Sequence, residues 1–187
     1  MTRILAAKPG AGRRRPAAHR SGAPPRPLGC AVITVSDTRR GRADTAGALI
    51  ERLVARAGHR VTTRAWVGDE PAALRRAARA ALGRAAVDVL LVTGGTGLGP
   101  RDRTPEALAP LAERPIPGFG ELFRVLSVRQ VGTAAWLSRA QAFVARGRLV
   151  VLLPGSRAAV DLALRELVLP ELVHAARMLG RFKPPED

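Results

Sequence analysis

A chain of 187 residues with 47% apolar residues can bury the core of one domain, and its 3% of aromatics makes that core aliphatic and alanine-rich. No apolar run approaches the length that spans a bilayer, and a single cysteine, Cys30, excludes an internal disulfide and lends no support to a cysteine-based metal site. The net charge of +16 invites a nucleic-acid role, yet only Lys8 and Lys183 are lysines, and no aromatic RNA-reading motif is interleaved with the arginines.

The charge is uneven. Arg3, Lys8, Arg13, Arg14, Arg15, Arg20 and Arg26 stand in the first 28 residues with no acid among them. Residues 1–27 are otherwise mostly Pro, Gly and Ala, with little to bury, and read as a disordered extension. They hold no apolar stretch of a secretory signal, and Pro9, Pro16, Pro24, Pro25 and Pro27 oppose the amphipathic helix of an organellar one. The expectation is a cytoplasmic protein with no nucleic-acid or membrane partner, its domain at 28–180 and a short tail at 181–187.

Gly29 to Ser36 reads as a first strand, and Asp44 or Thr45 can cap a helix carrying Ala46, Leu49, Ile50, Leu53, Val54 and Ala57, closed by Gly58. Val61, Thr63, Ala65 and Val67 alternate, as in a strand near an edge. Pro71 opens a second helix with Leu74, Ala77, Ala78, Ala81 and Leu82 on one face. Val87 to Val92 is a short β-branched run, the mark of a strand covered on both faces. A helix from Pro105 to about Glu113 follows, with a break at Pro115 and Pro117 and another helix from Gly118 carrying Phe119, Leu122, Phe123 and Leu126. Ala140–Ala145 and Leu149–Leu153 form a hairpin around Arg146-Gly147-Arg148. A last helix is interrupted by Pro170. Trp66, Trp136, His59 and His174 read as structural. Alternating strands and helices predict an α/β fold: three layers, a mostly parallel central sheet flanked by helices, with the C-terminal hairpin contributing to the sheet.

The chemistry gathers after the central strand. Gly94, Gly95, Gly97 and Gly99 remove side chains where that strand ends, so a ligand can approach the backbone amides. Thr104 as N-cap and Pro105 at the first helical position predict a helix entry there, a place that favours anions, phosphate above all. Asp102 would repel a bare phosphate and suggests a bridging metal ion. The run is neither a Walker A loop nor a dinucleotide fingerprint. Ligands of parallel sheets bind at the carboxyl ends of the strands, which puts Ser36-Asp37-Thr38, Asp69, Gly94–Asp102 and Pro154-Gly155-Ser156 on one rim. Taken singly, Asp69 also reads as an N-cap before Pro71 and Asp102 as a turn aspartate.

With Val35-Ser-Asp-Thr38, Asp44-Thr-Ala-Gly47, Gly68-Asp-Glu70, Thr93-Gly-Gly-Thr-Gly97, Arg101-Asp-Arg-Thr-Pro-Glu-Ala107, Pro117-Gly-Phe-Gly-Glu121, Leu137-Ser-Arg139 and Leu153-Pro-Gly-Ser156 in order, the chain resembles the MoaB/MogA group of molybdenum cofactor biosynthesis proteins. Gly118 to Arg124 leans toward the MoaB branch, while Arg103 stands where an aliphatic residue is usual. The resemblance implies Mg²⁺-dependent transfer of AMP from ATP to the terminal phosphate of molybdopterin, releasing pyrophosphate. It implies Asp69 and Asp102 as catalytic, Mg²⁺-binding aspartates. Gly94, Gly95, Thr96, Gly97, Pro154, Gly155 and Ser156 would lie on the nucleotide and phosphate side, and Ser36, Asp37, Ser138 and Arg139 in the molybdopterin pocket. It further implies a homotrimer or hexamer and a downstream molybdate-inserting partner. The alternatives are a nucleotide-hydrolysing relative of the same fold and a non-catalytic molybdopterin carrier or scaffold.

Overall fold

The computed structural model describes residues 26–38 and 41–182, so the reading of residues 1–25 as a disordered extension lies outside the described residues. Six strands form one sheet in the order β2-β1-β3-β6-β5-β4: β1 (Gly29–Val35), β2 (Arg60–Val67), β3 (Val89–Thr93), β4 (Arg114–Ile116), β5 (Gln141–Ala145) and β6 (Arg148–Leu153). Pairs β1–β2, β1–β3 and β3–β6 are parallel, whereas β5 and β4 run antiparallel on the far side. The expected hairpin is β5–β6, and the alternating strand β2 is an edge.

Alternation along the strands divides the core. Cys30, Val32, Val89, Leu91, Val151 and Leu153 face one way, against α1 (Thr45–Arg56), Phe123 of α4 (Pro117–Val131), and the C-terminal helices α5 (Arg157–Ala163) and α6 (Leu169–Met178). Ala31, Ile33, Leu90, Val92, Val150 and Leu152 face the other way, against α2 (Pro71–Leu82) and α3 (Thr104–Leu108). Because β1, β3 and β6 are covered on both faces, successive residues through their centres are apolar.

Four local expectations change. The break around Pro115 is strand β4: it lies at the sheet edge, where a proline costs no ladder bond. Thr104 is the first residue of α3, not its cap; its hydroxyl donates to the Gly94 carbonyl at 2.9 Å and its amide to the Gly95 carbonyl at 2.9 Å. Pro170 does not end the last helix, because a π turn at Leu164–Val168 joins α5 to α6 and accommodates the proline near the start of α6. Trp136 does not pack; it is 72% exposed.

The flanks are tied into the fold. Asp88, fully buried at the amino end of β3, accepts from the Gly29 amide at 2.8 Å, from both terminal nitrogens of Arg26 at 2.7 and 2.9 Å, and from Nε of Arg181 at 3.0 Å. Arg26 and Arg181, which the sequence assigns to the extension and the tail, therefore both hold the base of the sheet.

Candidate active site at the carboxyl rim of the sheet

Parallel pairing of β2, β1, β3 and β6 puts their carboxyl ends on one rim, and the chain stitches that rim together. The Ser36 amide donates to the Val67 carbonyl at 2.9 Å, Gly94 to Leu153 at 3.0 Å, and the Thr93 hydroxyl to the Pro154 carbonyl at 2.8 Å. Gly94 and Gly95 have φ of 105° and 66°, and a Cβ at either would collide with the Val35 carbonyl or the Thr104 hydroxyl. Only glycine fits this turn, for reasons of both conformation and space.

Above the rim lies a cavity of about 690 Å³, within the range of ligand sites. Ser36, Asp37, Asp69, Gly94, Gly95, Thr96, Gly97, Asp102, Ser138, Pro154, Gly155 and Ser156 all line it. Of the expected site residues only Arg139 does not. Its guanidinium turns to the Gly97 carbonyl, the Asp102 carbonyl and the Glu106 carboxylate.

Four carboxylates, Asp37, Asp44, Asp69 and Asp102, line the cavity with one arginine, Arg101. Asp37 accepts from the Asp69 amide at 3.1 Å and from Arg101 at 3.1 Å, and Nε of Arg101 lies 4.0 Å from Asp69. Desolvation raises the pKa of Asp69 above its ordinary value; repulsion by Asp37 and a hydrogen bond with it add to this, as does Asp102, and Arg101 opposes them. Asp69 does not cap α2. Glu70 does, accepting from the Ala72 and Ala73 amides at 2.8 and 2.5 Å, which leaves Asp69 available to the cavity. Asp102 is in part the turn aspartate that its position suggested, since it accepts from the Gly99 amide at 2.9 Å.

No group of three or more His, Cys, Asp or Glu among the described residues could enclose a metal by itself. Mg²⁺ does not need one, because it takes one or two carboxylates and completes its shell with water and substrate phosphates. Mutually repelling carboxylates beside a glycine turn fit such an ion.

Sequence reasoning missed Asp44 as a wall of the cavity. It caps α1 through the Gly47 amide at 2.8 Å, accepts from the Thr34 hydroxyl at 2.7 Å and from Trp66 Nε1 at 3.0 Å, and pairs with Arg64. Its cap role was legible; the other contacts join residues far apart in sequence. Arg101, which opens a quoted motif without a role given to it, also lines the cavity, as do Ser127 and Gln130, which nothing in their local sequence singles out.

A family model described as a probable molybdopterin binding domain matches residues 31–174. The chain belongs to the molybdenum cofactor biosynthesis family. Molybdenum cofactor biosynthesis protein B of Halalkalibacterium halodurans is 44% identical over 160 residues, 85% of this chain and 94% of that protein. A crystal structure of a molybdenum cofactor biosynthesis protein B superposes with a TM-score of 0.82 at 40% identity, covering 86% of this chain and all of the other. The tungsten cofactor synthesizing protein MoaB of Pyrococcus furiosus gives 0.72 at 34% identity, over 84% of this chain and 99% of its own. These relatives are all B proteins, which agrees with the lean of Gly118–Arg124 toward the MoaB branch. They also support the α/β fold read from the sequence.

Proposed function

We propose that this member of the family acts in molybdenum cofactor biosynthesis as a molybdopterin adenylyltransferase. An oxygen of the terminal phosphate of molybdopterin attacks the α-phosphorus of ATP. The bond from that phosphorus to the bridging oxygen breaks, and pyrophosphate leaves with its electron pair. The observation that carries the reading is the meeting of Asp69, Asp102 and the Gly94–Gly97 turn on one cavity. Such a transfer needs alignment and charge neutralisation rather than a protein nucleophile. Asp69 and Asp102 would hold Mg²⁺, which when bound neutralises the phosphates. The amides of the glycine turn and Arg101 bind and orient the phosphate groups, and Pro154, Gly155 and Ser156 wall the nucleotide side. Ser36, Asp37 and Ser138 lie on the side assigned to the pterin.

The test is direct. Purified protein with ATP, Mg²⁺ and molybdopterin forms adenylyl-molybdopterin and pyrophosphate in equal amounts. Equal ATP turnover with and without molybdopterin would instead mark a hydrolase, and molybdopterin binding with no product a carrier. The adenylylated product is a substrate for a molybdate-inserting partner.

We propose further that copies of this chain cover α4 in a trimer or hexamer. Leu122, Val125, Val128 and Val131 are 56%, 67%, 52% and 54% exposed along that helix. This strip is apolar and large for a solvated helix face. Val131 also lines the cavity, so the strip runs into the site and a second copy seated there would border it.

A further inference from the structure

The contacts of Arg139 fall on the loop that carries Asp102. Nε donates to the Gly97 carbonyl at 2.9 Å, one terminal nitrogen donates to the Asp102 carbonyl, and the other pairs with the Glu106 carboxylate. The Arg139 amide donates to the Thr96 carbonyl at 3.2 Å. Thr96, Gly97 and Asp102 line the cavity, as does Ser138, the residue before Arg139. The Ser138 carbonyl in turn accepts from Arg124 of α4 at 3.3 Å. One arginine thus spans the segment after α4 and the glycine turn.

We propose that Arg139 is a positioning residue, which sets Asp102 and the amides of the glycine turn for the transfer, while Glu106 orients its guanidinium; the proposal rests on the adenylyltransferase reading above. The carbonyl and N–H of a trans peptide point in opposite directions. Holding the Gly97 and Asp102 carbonyls therefore turns the amides of Leu98 and Arg103 away from the guanidinium, fixing donors on the loop, while the Arg139 main-chain amide holds the Thr96 carbonyl. A planar guanidinium presents its donors in a fixed fork and can hold these acceptors together, whereas an ammonium on a flexible stem cannot reproduce that fork. Pairing with Glu106 offsets its charge, which leaves ligand binding to other groups.

The experiment compares Arg139→Ala, Arg139→Lys and Glu106→Gln with wild type in the full chain. Amide hydrogen exchange without ligands reads the loop directly. Exchange across 96–103 is expected to rise about tenfold or more in Arg139→Ala, and less in the other two. In the transfer assay kcat falls on the order of 10²-fold in Arg139→Ala, as a misplaced group predicts. The KM for molybdopterin stays within about threefold, and Arg139→Lys recovers part of kcat. Loop exchange equal to wild type in Arg139→Ala overturns the proposal. So does a raised molybdopterin KM at unchanged kcat, which would make Arg139 a ligand contact. If Arg139→Ala does not fold, Arg139→Lys and Glu106→Gln decide by the same readings. If the wild type makes no adenylyl-molybdopterin, the adenylyltransferase reading fails, and the exchange measurement still decides whether Arg139 holds the loop.

Discussion

Asp69 illustrates how a single residue carries a cost that function explains. Burial and the neighbouring Asp37 raise its pKa, so its charged form is disfavoured in the folded chain. Between the unfolded value near ~3.9 and the raised folded value, the native state binds more protons than the unfolded one. Stability therefore falls as pH rises through that window, and the penalty persists above it. Asp69→Asn removes this penalty. We expect its melting temperature at pH 7 to equal or exceed that of wild type, with the gap closing as pH drops to about 4. We expect its adenylyl transfer to fall on the order of 10²-fold or more, the scale of losing one preorganised electrostatic group. Asp102→Asn should lose activity similarly and keep its turn, because the amide oxygen still accepts from Gly99. A melting temperature well below wild type would make Asp69 structural, and near-wild-type turnover at saturating Mg²⁺ would remove either residue from the mechanism.

At the scale of elements, α1 is set against the sheet by one buried carboxylate. Asp44 satisfies the first turn of α1 and accepts from Thr34 on β1 and from Trp66 on β2, where Arg64 also pairs with it. Arg64 stacks over Trp66, 4.4 Å from the ring centre, and reaches Glu51 of α1 at 2.8 Å. Asp44→Ala removes a cap and leaves a largely buried guanidinium with Glu51 as its one carboxylate partner, beside the neutral Thr34 hydroxyl and Ala65 carbonyl. The loss is expected to be on the order of 3 kcal/mol, between that of a cap and that of a broken buried ion pair. Chemical denaturation checks this, and a loss no larger than that of an exposed cap would show that the Arg64 pair contributes nothing. Because Asp44 also walls the cavity, Asp44→Asn is the variant for activity: it keeps the shape and an acceptor for the cap.

At the scale of the molecule, Asp88 joins both flanks of the described chain to the base of the sheet. Burial by itself would raise its pKa, but the hydrogen bonds from Arg26, Gly29 and Arg181 outweigh burial and lower it. A lowered folded value contributes stability that is present above the unfolded value near ~3.9 and is lost as pH falls through the folded one. Asp88→Asn should therefore cost on the order of 2 kcal/mol at neutral pH, less than a fully buried pair because Arg26 is partly solvated. That difference should shrink in acid below pH ~4. Arg26→Ala should cost less than Asp88→Asn, since Arg181 remains; equal costs would mean that Arg181 adds nothing. Cys30 lies nearby, its thiol pushed up to about 12 by burial and by the Asp88 charge, and it should resist alkylation until the fold opens. Assembly is decided at the same scale. Wild type should sediment as a multiple of 19.8 kDa, and Val125→Asp on the exposed strip of α4 should yield the monomer. A monomeric wild type at micromolar concentration would refute the proposed trimer or hexamer.

The amino-acid sequence by itself determined whatever depends on short spacing. Alternation marked β2 as near an edge, the apolar run Val87–Val92 marked β3 as doubly covered, and glycine after β3 marked a turn with room for a ligand. From the parallel-sheet rule it also brought Asp37, Asp69, Gly94–Asp102 and Ser156 to one rim, because the carboxyl ends of parallel strands share a side. Tertiary structure decided what a side chain does once several partners compete for it. Thr104 reads as a cap, and in the fold it locks the glycine turn. Arg139 reads as a ligand contact, and its fork meets two carbonyls and Glu106. Asp44 reads as a cap, and Arg64, Trp66 and Thr34 converge on it from two strands. Strand β4 was invisible because three residues carry no period, and its pairing with β5 makes it a strand. Local sequence names the donors and acceptors within a turn or two, whereas long-range packing selects which of them meet.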